Sequence, residues 1–91
     1  MFKLIFNDEF TKNFDKLKDR EIQRRIYKRV QDLKENPELG RMLTGIENEL
    51  FGKMYRIRIG KYRVIYAINY RTNEIHLVTL GHRESVYDRM Q

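Results

Sequence analysis

Phe2, Leu4 and Phe6 alternate with Lys3 and Ile5, the period-two pattern of a strand with one buried face, so a strand is predicted over residues 2–6. Asn7 is placed to cap a helix whose first turn carries Asp8 and Glu9, and Phe10, Phe14 and Leu17 then recur at helical spacing to about Lys18. Asp19 can cap a second helix. Its apolar stripe is Ile22, Ile26, Val30 and Leu33, while Arg20, Arg24, Arg25, Lys28 and Arg29 face water or lay their stems along the surface. Asn36-Pro37 stops that helix, because a residue before proline is pushed out of the helical region.

Residues 37–52 carry glycines at 40, 45 and 52 and no clear period; they read as a long connection with Leu39, Met42 and Leu43 tucked beneath it. Three strand patterns follow, at about 54–59, 62–69 and 74–80, with turns at Gly60-Lys61 and near residues 71–73. Gly81 ends the last strand, and residues 85–90 form a short helix or tail. The predicted class is α+β: a strand, a helical hairpin, then a three-stranded antiparallel meander and a C-terminal helix or tail, in the order β-α-α-β-β-β and as one domain over residues 1–91.

The stretch YRIRIGKYRVIY, residues 55–66, fixes a register. Gly60 at the first central position of a two-residue loop suits a type II′ turn, which pairs Ile59 with Tyr62 and Arg58 with Arg63. One face then carries Tyr55, Ile57, Ile59, Tyr62, Val64 and Tyr66, and the other carries Arg56, Arg58, Arg63, Ile65 and Ala67 on the solvent side. Like charges directly opposite one another are destabilising. A solvated polar face explains any one of these arginines; three without a nearby acid point to a polyanion, whose phosphates the guanidinium fork grips bidentately.

Charge placement agrees. The chain has a net charge of +6, and the segment from Lys53 to Arg71 holds Lys53, Arg56, Arg58, Lys61, Arg63 and Arg71 with no acid, leaving thirteen basic and thirteen acidic residues elsewhere. With 41% apolar residues the chain is too hydrophobic for a disordered polycation. The absence of cysteine excludes disulfides, thiolate metal sites and a cysteine nucleophile. No apolar run reaches the ~20 residues of a membrane span, so a cytoplasmic location is expected. GIENELFGK, residues 45–53, has the wrong spacing for a phosphate-binding P-loop. No metal site or cofactor is expected.

The last strand leads into GHRESVYDR, residues 81–89, from which Arg83 and Tyr87 can project over a phosphate held by the arginines; packing of the tail accounts equally for Tyr87, and a surface charge for Arg83. The element order, the YRIRIGKYRVIY hairpin and the closing LGHRESVYDRM together resemble the RelE/ParE superfamily of toxins from toxin-antitoxin modules, most closely its RelE-like branch. That resemblance implies an endoribonuclease that enters the ribosomal A site and cuts messenger RNA, with no metal or other cofactor. The two lysines of the family's first hairpin strand fall on Arg56 and Arg58, the hairpin arginine on Arg63, and the tail pair on Arg83 and Tyr87.

The implied reaction is attack of a ribose 2′-oxygen on the adjacent phosphorus. In it Tyr87 takes the 2′-proton, Arg83 donates toward the leaving 5′-oxygen, and Arg63 with Arg56 and Arg58 steadies the phosphorane. His82 is an alternative acid or base. Lys53, Lys61, Arg71 and His82 are the implied RNA- and ribosome-contacting residues. The implied partners are the ribosome with its mRNA and a cognate antitoxin, acidic-rich and partly helical; no membrane is involved. A ParE-like poison of DNA gyrase and a non-catalytic RNA-binding member are the alternatives on the same fold.

Overall fold

Asp19 begins the longer helix as its sequence position requires: its carboxylate accepts from the backbone N–H groups of Glu21 at 2.9 Å and Ile22 at 3.2 Å, satisfying donors that the first turn leaves open. This helix, α2, spans Arg20–Asp32, and the shorter helix before it, α1, spans Asp8–Asp15. The computed structural model describes residues 1–48 and 52–82. In it a strand β1, Lys3–Phe6, precedes the helices, and four strands follow: β2 at Arg41–Asn48, β3 at Gly52–Ile59, β4 at Tyr62–Asn69 and β5 at Glu74–His82. The α+β order is the one expected, and the predicted tail over residues 85–90 lies outside the described residues.

The strands form one sheet in the order β1-β5-β4-β3-β2, with β1 parallel to β5 and the other neighbours antiparallel. The meander therefore has one strand more than the sequence suggests. Residues 41–48, read as loop, pair with β3 as an edge strand, Arg41 opposite Arg56 and Met42 opposite Tyr55, before the register shifts. That strand is made by the open hydrogen-bonding edge of β3 rather than by an alternating pattern of its own. Helix α1 ends at Asp15, short of Lys18, where Gln23 of α2 donates to the carbonyls of Phe14 at 2.9 Å and Leu17 at 3.1 Å and turns the chain.

Both helices cover the same face. Ile22, Ile26 and Val30 of α2, with Leu33 at its C-terminal cap, meet Ile57, Ile59, Val64, Tyr66, Ile75, Leu77 and Leu80 of the sheet, with Phe10 of α1 among them. Each fully buried aliphatic side chain contributes roughly 1.5–3 kcal/mol, so this layer carries the fold. Asn13 of α1 donates to the Leu80 carbonyl at 2.7 Å, holding α1 along the part of β5 that extends past β1. The opposite face has a small core of its own: Met54, Ile65 and Ala67 are buried, with Leu43 and Val78 against them. Leu43 arrives on the added strand. Val78 is the extra residue of a bulge, since Ile65 pairs with Thr79 and Tyr66 with Leu77. The face expected to be open to solvent is thus closed over Ile65 and Ala67, and its charged part is confined to one end.

Candidate nucleic-acid interface

The β3–β4 turn decides where the cations go. Gly60 has φ +57° while Lys61 stays outside the left-handed region, the signature of a type II′ loop. Ile59 therefore pairs with Tyr62, Arg58 with Arg63 and Arg56 with Ile65, as the sequence indicates. Arg56, Arg58 and Arg63 share the face away from the helices. Arg41 joins them, because β2 places it directly opposite Arg56. Two like-charged cross-strand pairs, Arg58 with Arg63 and Arg41 with Arg56, each oppose folding by roughly 0.2–1 kcal/mol.

The three predicted arginines differ in setting. Arg58 is exposed and Arg56 half-buried, whereas Arg63 is only 6% exposed, which corrects the expectation of a solvated side chain. The cause is local: Arg63 stands opposite Gly81, which has no side chain, and its Nη1 turns back to donate to the carbonyls of Tyr62 at 3.2 Å and Gly60 at 3.5 Å. Its Nε is buried and has no hydrogen-bond partner among the described residues. The ion pairs among the described residues are Arg24 with Glu21, Lys28 with Asp32 and His76 with Glu74, and none involves Arg41, Arg58 or Arg63. A desolvated guanidinium that, among the described residues, is held by neutral carbonyls alone is a strong local source of positive potential, and a buried donor left open costs on the order of 1–3 kcal/mol or more when charged. An anionic oxygen supplied by a ligand removes that cost.

Arg41 owes its place to two residues. The chain between α2 and β2 is pinned by the Tyr66 hydroxyl, which donates to the Pro37 carbonyl at 2.8 Å and accepts from the Gly40 N–H at 2.9 Å. Burial pushes the Tyr66 hydroxyl up to about 12, so it stays neutral and can donate. Gly40 is required sterically: a Cβ there would lie inside contact of the Arg56 carbonyl oxygen and 2.8 Å from the Tyr66 oxygen. These contacts dock β2 against β3 where the two arginines face each other.

The remaining candidates divide by position. Lys61 is exposed at the tip of the hairpin, next to Arg58 and Arg63 in register. His82 stands opposite Tyr62 at the same end, its ring 6.0 Å from the tyrosine ring, and Tyr62 belongs to the helix-covered face. Lys53 lies at the start of β3, about 17 Å of strand from Arg58, on the alternate face. Arg71 is in the β4–β5 turn at the far end of the sheet. The structure does not bring Lys53 or Arg71 to the arginines. Arg83 and Tyr87 lie outside the described residues. Sequence reasoning missed Arg41, whose strand has no clear period. The helical pattern has Arg25, Lys28 and Arg29 face water or lay their stems along the surface; the structure adds that they border a groove with Arg58.

Comparison with known proteins agrees with this fold. A family model described as the ParE toxin of the type II toxin-antitoxin system, parDE, matches residues 4–87. Among solved structures, a mutant of the Escherichia coli toxin RelE in the free state superposes with a TM-score of 0.76 at 20% identity, covering 98% of this chain and 93% of that one. The RelBE2 toxin-antitoxin complex from Mycobacterium tuberculosis matches with a TM-score of 0.73 at 23% identity over 90% of this chain and 98% of that one. The archaeal RelE-RelB complex from Pyrococcus horikoshii OT3 also gives 0.73, at 25% identity over 90% and 94%. No curated protein matches the chain by sequence.

Proposed function

The chain belongs to the ParE toxin family of type II toxin-antitoxin systems, and on that premise we propose that it is a ribosome-dependent, metal-independent endoribonuclease that cuts mRNA in the A site and so stops translation. The observation that carries this reading is Arg63: a guanidinium buried at the base of an arginine cluster, with an open Nε donor and no carboxylate paired to it among the described residues. A scissile phosphodiester is its natural complement, and negative charge growing on the non-bridging oxygens strengthens the interaction in the transition state.

In the proposed reaction the ribose 2′-oxygen forms a bond to phosphorus as the bond to the 5′-oxygen breaks, leaving a 2′,3′-cyclic phosphate and a free 5′-hydroxyl. The 2′-proton passes to Tyr87, and the leaving oxygen gains a proton from Arg83 or, alternatively, His82. Arg63, Arg56 and Arg58 offset the charge of the phosphorane, and Arg41 adds to the same field. A free tyrosine with a pKa of about 10 is a weak base precursor at neutral pH, and this role for Tyr87 requires cations that favour the phenolate. The ribosome supplies the remaining rate by fixing the codon in an in-line geometry. The solved complexes of similar toxins with antitoxins support an antitoxin as second partner; the basic face suits one that is acidic and partly helical and that masks the arginines.

A gyrase-directed poison is the second reading, favoured by the ParE description of the matching family model. One comparison separates them: mRNA integrity on programmed ribosomes with the parent chain, Arg83→Ala and Tyr87→Phe. Cutting by the parent that is lost in both variants supports the nuclease. Intact mRNA together with gyrase trapped on cleaved DNA supports the poison.

A further inference from the structure

Beyond Arg56, β3 has no partner in β2, and the Arg58 side chain there borders a groove of about 330 Å3 against α2. Its lining is Arg25, Lys28, Arg29 and Asp32 of α2 with Arg58 and Ile59 of β3. We propose that this groove is a second phosphate-binding site, which takes the sugar-phosphate backbone of RNA adjoining the segment held at Arg63. The proposal rests on the RNA-cleaving reading only for the identity of the polyanion.

Charge supports a ligand. Asp32 is held by Lys28 at 3.7 Å, and Arg25, Arg29 and Arg58 form no ion pair among the described residues. Arg25 and Arg29 are also one helical turn apart, an arrangement of like charges that weakens a helix by roughly 0.2–0.5 kcal/mol. On the neighbouring face of α2 the arrangement is ordinary, with Arg24 bonded to Glu21 at 2.8 Å.

Position connects the groove to the first site. Arg25 Nη1 lies 3.9 Å from where a side chain on Gly60 would begin, and Arg63 binds the Gly60 carbonyl. The hairpin tip is therefore flanked by guanidinium groups on both sides. Arg58 springs from the arginine face and reaches the groove, so it is common to both. Arg25 and Arg29, about 6 Å apart along the helix axis, follow a strand of phosphates away from the tip.

The lining also selects the class of ligand. Four of its six lining residues are cationic and its apolar residue, Ile59, is only 3% exposed, so an apolar anchor of a docked peptide helix would meet the stems of arginine and lysine rather than a dedicated apolar pocket. A backbone of phosphates needs none.

The test measures binding of a fully 2′-O-methylated RNA oligonucleotide, which cannot undergo 2′-oxygen attack, across a series of salt concentrations. Arg25→Gln with Arg29→Gln should flatten the slope of log K against log salt by about 1.4, about 0.7 for each single-strand phosphate that the protein no longer neutralises. Arg20→Gln with Arg24→Gln removes the same charge from the neighbouring face of α2, outside the groove, and should leave the slope near that of the parent. Equal flattening in both pairs would mean diffuse charge and overturn the proposal. An unchanged slope in the groove pair, with weakened binding of polyglutamate, would also overturn it and give the groove to an acidic protein. A failure of mRNA cutting by the parent refutes the nuclease but not the groove, because the oligonucleotide readout requires no cleavage.

Discussion

Replacing Tyr66 by phenylalanine removes one oxygen from the middle of the protein and nothing else. That oxygen lies on a side chain with no exposed surface, donates to Pro37 at 2.8 Å and accepts from Gly40 at 2.9 Å. Both partners are backbone groups with no substitute in the new side chain, so the loss is two hydrogen bonds plus two backbone groups left open. At roughly 1–3 kcal/mol for each group left without a partner, Tyr66→Phe should cost about 2–6 kcal/mol, a large part of the 5–15 kcal/mol typical of a domain. Urea denaturation should show a lower midpoint at unchanged m-value.

The same residue predicts a pH dependence. Its folded pKa of about 12 exceeds the ordinary tyrosine value of about 10, so the folded state holds this proton more tightly than the unfolded chain does. The resulting stability is complete below pH ~10 and is lost as pH rises from ~10 through ~12, at about 1.4 kcal/mol per pH unit within that window. The parent should therefore weaken more steeply than Tyr66→Phe between those limits. A loss under ~1 kcal/mol near neutral pH, or parallel alkaline profiles for the two proteins, would refute the reasoning.

Gly40→Ala should destabilise by roughly 1–3 kcal/mol, because its Cβ meets the Arg56 backbone and the Tyr66 oxygen; urea titration checks this. Arg58→Glu turns a like-charged cross-strand pair into an opposite-charged one and should raise stability by about 0.5–1 kcal/mol while reducing mRNA cutting. A variant both less stable and fully active would contradict it. Asp19→Ala removes two capping hydrogen bonds from α2 and should cost about 1 kcal/mol by thermal or urea unfolding.

The parts legible in the sequence are those whose cause is local. Asp19 caps α2 with its own side chain, and Gly60 selects a turn that sets the Arg58–Arg63 register, so both can be read from a few residues. Strand β2 cannot. Arg41–Asn48 becomes a strand because β3 offers an edge, and its ladder is broken by a register shift, so no alternation survives for a pattern to detect. Without β2, Arg41 and the burial of Met54 and Ile65 beneath Leu43 are hidden as well. The pattern puts Arg63 on the right face with the wrong exposure, because its burial depends on Gly81 across the ladder and on carbonyls of the turn. Arg25 and Arg29 look like any solvated helix face until β3 is brought beside them.

The claim that a phosphodiester sits against Arg63 is tested most directly by single-turnover cleavage of ribosome-bound mRNA with Arg63→Gln, a change that keeps a donor but removes the charge. A phosphodiester held at Arg63 requires a fall of about 10²–10³ in rate, with a urea midpoint equal to or above the parent's once the buried charge is gone. A variant that cuts within a few-fold of the parent would contradict it.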